Sequence, residues 1–73
     1  PDQTRLRVNF ADAVDARIEV MSTLGQRMWQ SPIFENVSNL NEQIDISQLP
    51  DGIYFIQVHA AGQSKTVRLM KTQ

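Results

Sequence analysis

The chain has 73 residues, enough for one small domain, with 7 Lys and Arg against 8 Asp and Glu and no cysteine. A formal charge of -1 gives no field to draw in nucleic acid or an anionic membrane, and nucleic acid is excluded as a partner. The missing cysteines exclude disulfides, thiolate catalysis and cysteine zinc sites, and no run of 18 apolar residues is present to form a membrane-spanning helix.

Residues 4–10 alternate, with Leu6, Val8 and Phe10 on one side and Arg5, Arg7 and Asn9 on the other, which predicts a half-buried strand. Ala11-Asp12-Ala13 reads as a turn, and residues 16–20 repeat the pattern with Ala16, Ile18 and Val20 inward and Arg17 and Glu19 outward. Gly25 closes a hairpin after Ser22-Thr23-Leu24, and the chain extends again through Met28 and Trp29. Alternation leaves open which of these two faces inward; the spacing from Gly25 favours Met28 and leaves Trp29 partly exposed.

Pro32 has no N–H to give to a ladder, and the polar stretch that follows predicts a mobile loop over residues 35–41. Residues 42–47 alternate again with Ile44 and Ile46 inward. Residues 52–59 carry Tyr54, Ile56 and Val58 on one face, and residues 64–71 carry Val67 and Leu69, with Gly62 in the hairpin between them. The count is six to seven short antiparallel strands, and no window of twelve residues shows a helical stripe. This is the pattern of an all-β sandwich in a single domain, residues 1–73.

Little in the chain points to catalysis. His59 is the lone histidine, on the outward face of a predicted strand, and with scattered carboxylates it matches no zinc or calcium ligand spacing. It reads as a solvated strand residue. Gly25, Gly52 and Gly62 are dispersed, as turn residues are, and make no phosphate-cradling loop. No cofactor and no metal is predicted. Lys65, Arg68 and Lys71 place positive charge on the last strand, where it discourages edge pairing beside the apolar residues 53–58 and offers a contact for an acidic receptor or an anionic lipopolysaccharide.

The most informative segment is Leu49-Pro50-Asp51-Gly52-Ile53-Tyr54. Pro50 sets φ for a turn, Asp51 and Gly52 complete it, and Tyr54 opens a strand facing inward. Immunoglobulin-like sandwiches use such a tyrosine corner, in which the ring packs in the core and the hydroxyl bonds to backbone a few residues upstream.

With this segment in place, the chain resembles the type A C-terminal sorting domain of type IX secretion system cargo from Bacteroidetes. The resemblance rests on Leu6-Arg7-Val8, on the strand-turn-strand ending Leu24-Gly25-Gln26-Arg27, and on Ile44-Asp45-Ile46-Ser47-Gln48-Leu49 running into Gly52, Tyr54 and Val58. Ser64-Lys65-Thr66-Val67-Arg68-Leu69-Met70-Lys71 looks like the family's basic terminal strand. Gln26 stands where the family more often has arginine, and residues 28–41 match poorly.

The resemblance implies an immunoglobulin-like β-sandwich that is not an enzyme. Its place is the end of a longer chain with the passenger N-terminal to it, and the start at Pro1 reads as the cut end of such a chain. It implies export through the periplasm of a Gram-negative bacterium to the cell surface or extracellular space, with the outer-membrane translocon, a shuttle protein and a sortase as partners. Gly52, Tyr54, Lys65, Arg68 and Lys71 are then the signal and recognition candidates, and Gly25, Pro50, Asp51 and Gly62 the structural turns. Two alternatives remain open: a domain retained at the surface in contact with lipopolysaccharide, and a fibronectin-like adhesion or carbohydrate-binding module using Trp29. Exposed strand edges also allow a weak homodimer.

Overall fold

A computed structural model describes residues 3–72. The chain forms five strands, β1 (Gln3–Ser22), β2 (Arg27–Gln30), β3 (Phe34–Asp45), β4 (Gly52–Ala60) and β5 (Gln63–Lys71). They make one hydrogen-bonded antiparallel sheet in the order β2-β1-β4-β5, with β3 also paired to β1. The architecture is all-β as expected, but five strands, four of them long and β2 short, replace the six to seven short ones, and they make one open sheet.

The difference begins in β1. Ala11-Asp12-Ala13 contains neither glycine nor proline, so nothing local ends the strand there, and the two predicted strands are one. A straight strand of 20 residues would run about 66 Å, whereas the longest dimension of the molecule is 37 Å. β1 therefore bends sharply. Its pairing with β3 lapses between Asn9 and Val14, and Asn36, at φ +54°, donates its backbone N–H to Asp15 Oδ1 at 2.9 Å on the far side of that gap.

The bend brings two ends of one sheet together. Leu6, Leu40, Ile44 and Ile46 come from the first half of β1, β3 and the turn after it; Ile18, Val20, Tyr54, Ile56 and Val58 come from the second half of β1 and β4. All nine belong to a single buried cluster. The predicted inward residues of the alternating stretches are thus core residues or, for Val8, Phe10 and Leu69, packed against the core, except Val67, which lies 43 % exposed on the edge strand β5 with no element to cover it. Burial of the cluster is what keeps the sheet folded over.

The expected loop at residues 35–41 is instead part of β3, with Asn39, Leu40 and Asn41 paired to Asn9, Val8 and Arg7. Polar composition predicts a loop only where no partner is available. Here the unusually long β1 offers a second edge, and the polar side chains face solvent.

β2 and β3 lie one after the other along the same edge of β1, because Ala16 pairs with Phe34 on one side and Ala60 on the other. The chain crosses from one to the other at Ser31-Pro32-Ile33, where Pro32 cannot donate. Ser31, 4 % exposed, supplies the missing pairing: its N–H donates to Ile18 O at 2.9 Å and its hydroxyl accepts from Ile18 N–H at 2.9 Å. Trp29 is registered opposite Val20 and, with Met28, packs against the core cluster, so it is half-buried at the core face.

β4 and β5 are joined by a two-residue turn, with Ala60 paired to Gln63. Ala61 and Gly62 have φ of +53° and +76°, as the mirror-image hairpin turn requires at both central positions. β5 is an edge strand, held laterally by β4 alone.

Candidate recognition surface

The corner between β3 and β4 is the best-defined local structure. Asp45 Oδ1 accepts the Ser47 N–H at 2.9 Å, and Leu49 N–H donates to Ile46 O at 3.0 Å, which curls residues 45–49 into a tight turn. Pro50 and Asp51 are exposed, Gly52 takes φ +154°, and Tyr54 enters the core. Its hydroxyl reaches back to donate to Pro50 O at 2.6 Å, which is the tyrosine-corner geometry expected from the sequence. Hydrogen bonding from Ser47, by side chain and backbone, holds the Asp45 carboxyl below its usual range, with a smaller attraction from Lys71.

The three basic residues of β5 go to three different places. Cross-strand partners share a face, so Lys65, opposite buried Val58, lies on the core side, and Arg68, opposite Phe55, lies on the outer side. Both are exposed. Lys65 lines the mouth of an open groove of about 530 Å³ floored by Val8, Phe10, Val14 and Val58.

Lys71 departs from the expected outward placement. It is only 3 % exposed and turns under the corner, where Nζ donates to the carbonyls of Ile46, Ser47 and Leu49. An ammonium on a long apolar stem goes where carbonyls are concentrated, and the corner supplies them. Among the candidate residues the fold therefore gathers Pro50, Asp51, Gly52, Tyr54 and Lys71 at one corner. Gly25 sits apart at the tip of the β1–β2 hairpin, beside the exposed Leu24, and Gly62 at the tip of β4–β5.

A second cluster, unforeseen in the sequence, occupies the outer face. Glu19 is 8 % exposed and is met by Arg17 Nη1 at 2.9 Å, Arg27 Nη1 at 3.2 Å and His59 Nε2 at 2.7 Å. His59 Nε2 lies off the line of a hydrogen bond to the carboxylate, so their contact is one of proximity. Burial acts to raise the Glu19 pKa, but Arg17 and then His59 outweigh it and hold the carboxyl below its ordinary range. His59, read above as a solvated residue, is thus a partly covered neighbour of a buried carboxylate. The signal for it lay in the register, since Arg17 pairs with His59 across β1 and β4. Alternation along one strand cannot show that.

Among the described residues, no group of three or more His, Cys, Asp and Glu side chains is placed to hold a metal ion. At the corner Tyr54 and Lys71 are bonded to backbone carbonyls, and on the outer face Arg17 and Arg27 are paired with Glu19. What the fold offers outward is the edge of β5, the side chains of Lys65 and Arg68 on its two faces, and the apolar Ile53, Val67 and Met70. The family described as the secretion system C-terminal sorting domain matches residues 1–72, and the chain belongs to it: it is a type IX secretion sorting signal, a non-enzymatic kind of domain that works with the secretion machinery and directs export to the cell surface or extracellular space. Neither the curated proteins nor the solved structures compared with the chain gave a match.

Proposed function

We propose that the domain is read by the type IX machinery as a folded object, through the edge of β5 and the side chains beside it, and not as a linear peptide. The observation that carries this reading is the fate of the signature residues. Tyr54 and Lys71 are buried at the corner and committed to backbone carbonyls there, so they are occupied in building shape. Contact with a receptor then falls to exposed groups, of which Lys65 and Arg68 are the cationic pair on the terminal strand.

In this reading a passenger lies N-terminal to the domain and follows it through an outer-membrane translocon in a Gram-negative bacterium, with a shuttle protein receiving the domain and a sortase removing it at the surface. The tyrosine corner and the core enclosed between the two ends of the bent sheet support a likeness to the immunoglobulin-like sandwich that the family resemblance implies. Fusing residues 1–73 to the C terminus of a periplasmic reporter, in a bacterium with type IX secretion, tests the proposal. The reporter should appear at the surface or in the medium. A fusion that folds and yet stays in the periplasm overturns it.

A further inference from the structure

Three main-chain carbonyls of the turn after β3 converge on a single point. Those of Ile46, Ser47 and Leu49 stand 2.8, 3.4 and 2.5 Å from Lys71 Nζ. An ammonium has three N–H donors and no acceptor, so a cup of three carbonyls matches it in number, polarity and direction. At 3 % exposure Lys71 has little access to water, and the carbonyls stand in for its hydration shell. The cup is shaped by the turn itself, through the Leu49 N–H to Ile46 O bond and the Ser47 N–H to Asp45 Oδ1 bond, neither of which involves Lys71.

We infer that residues 46–49 form a cation-binding cup, filled in cis by the Lys71 ammonium, which latches the end of β5 to the corner and which a free primary alkylammonium can fill in its place. The rest of β5 makes the latch consequential. β5 is an edge strand, Val67 and Met70 are 43 % and 55 % exposed, and residues 63–68 bury little. Apart from the β4 ladder and the partly buried Leu69, it is Lys71 that ties the strand to the remainder of the molecule. Losing the ammonium frees the last residues of β5 while the cluster around Ile18, Val20 and Ile56 stays closed. This goes beyond the sorting function and does not depend on it.

The test compares the wild-type chain with Lys71→Ala and Lys71→Met by thermal unfolding and amide hydrogen exchange, with propylammonium chloride or tetramethylammonium chloride added. Lys71→Ala should lower Tm by about 10 °C, given the strength of charge-assisted bonds in so small a domain. Exchange at residues 67–71 should rise by about tenfold or more, with residues 18–20 and 56–58 little changed. Propylammonium, which restores the missing stem and its N–H donors, should recover both readouts in Lys71→Ala and leave the wild type unmoved. Tetramethylammonium has the charge but no N–H donor and should do neither. Lys71→Met keeps an apolar stem without donors and should be unlatched as well. If either variant does not fold unaided, propylammonium-dependent folding of Lys71→Ala supports the cup. Full protection of β5 in Lys71→Met, or no difference between the two ammonium salts on Lys71→Ala, overturns it.

Discussion

Tyr54 and Pro50 are joined across the corner by a 2.6 Å hydrogen bond in which the buried ring presents its hydroxyl to the proline carbonyl. Tyr54→Phe keeps the ring in the core and loses that one bond. Because Pro50 is exposed, water can take over its carbonyl, and the cost should be about 1 kcal/mol with the fold retained. The check is a denaturant titration: the midpoint should fall with an unchanged slope. An unchanged midpoint removes the hydroxyl from any account of the corner.

Ser31 offers a stricter test, because the group it satisfies is out of reach of water. Ile18 is fully buried, and its N–H has the Ser31 hydroxyl as acceptor. Ser31→Ala leaves that donor without a partner and should cost about 1–3 kcal/mol. Ser31→Thr retains the hydroxyl and should recover much of the loss. Equal destabilisation by both variants would point to packing around Pro32 instead.

The β4–β5 turn predicts a gain. Ala61 holds a left-handed conformation that costs an alanine about 1–2 kcal/mol. Ala61→Asn places the preferred residue before Gly62 and should raise stability by about 0.5–1 kcal/mol, visible as a higher Tm. Gly62→Ala should do the reverse through the backbone alone, since an added Cβ meets nothing within 4 Å.

Glu19 predicts the behaviour in acid. Its folded pKa is depressed, so the stability it contributes is present above the ordinary glutamate value near 4.5 and is lost as the pH falls through the lower folded value. Asp45, also depressed, contributes with the same sign in the same acid range. Stability should therefore fall as the pH drops below about 4.5. Glu19→Gln should weaken the domain near neutral pH and flatten this acid slope. A slope identical to that of the wild type would assign the acid sensitivity to other carboxylates.

Lys65 and Arg68 separate recognition from stability. Both are exposed, so charge reversal to Glu should shift unfolding by no more than about 0.5 kcal/mol. Under the proposed function each should reduce export of a fused reporter, and because they lie on opposite faces of β5 their separate effects reveal which face is read. Normal export of the double variant sinks their role as contacts.

Much of the core was legible because period-two alternation is a local property: Leu6, Ile18, Val20, Ile44, Ile46, Ile56 and Val58 are buried where their strands place them. The tyrosine corner was legible too, since Pro50, Gly52 and Tyr54 act within five residues of one another. Three features were not. The merging of two strands into β1 depends on a bend that only core burial across both ends of the sheet rewards. The strand character of residues 35–41 depends on the free edge that β1 offers them.

The third is the direction of long charged side chains. Lys65, Arg68 and Lys71 look alike along β5, and local pattern assigns all three to a solvated basic surface. The sequence by itself determined an all-β chain with a tyrosine corner and a basic terminal strand, because backbone propensity, alternation and turn chemistry are short-range. Only the tertiary structure decided that Lys71 turns inward to the carbonyls of Ile46, Ser47 and Leu49 and that Glu19 meets His59. Both contacts join residues at least 22 positions apart, and their partners exist only once the sheet has folded over and its register is set.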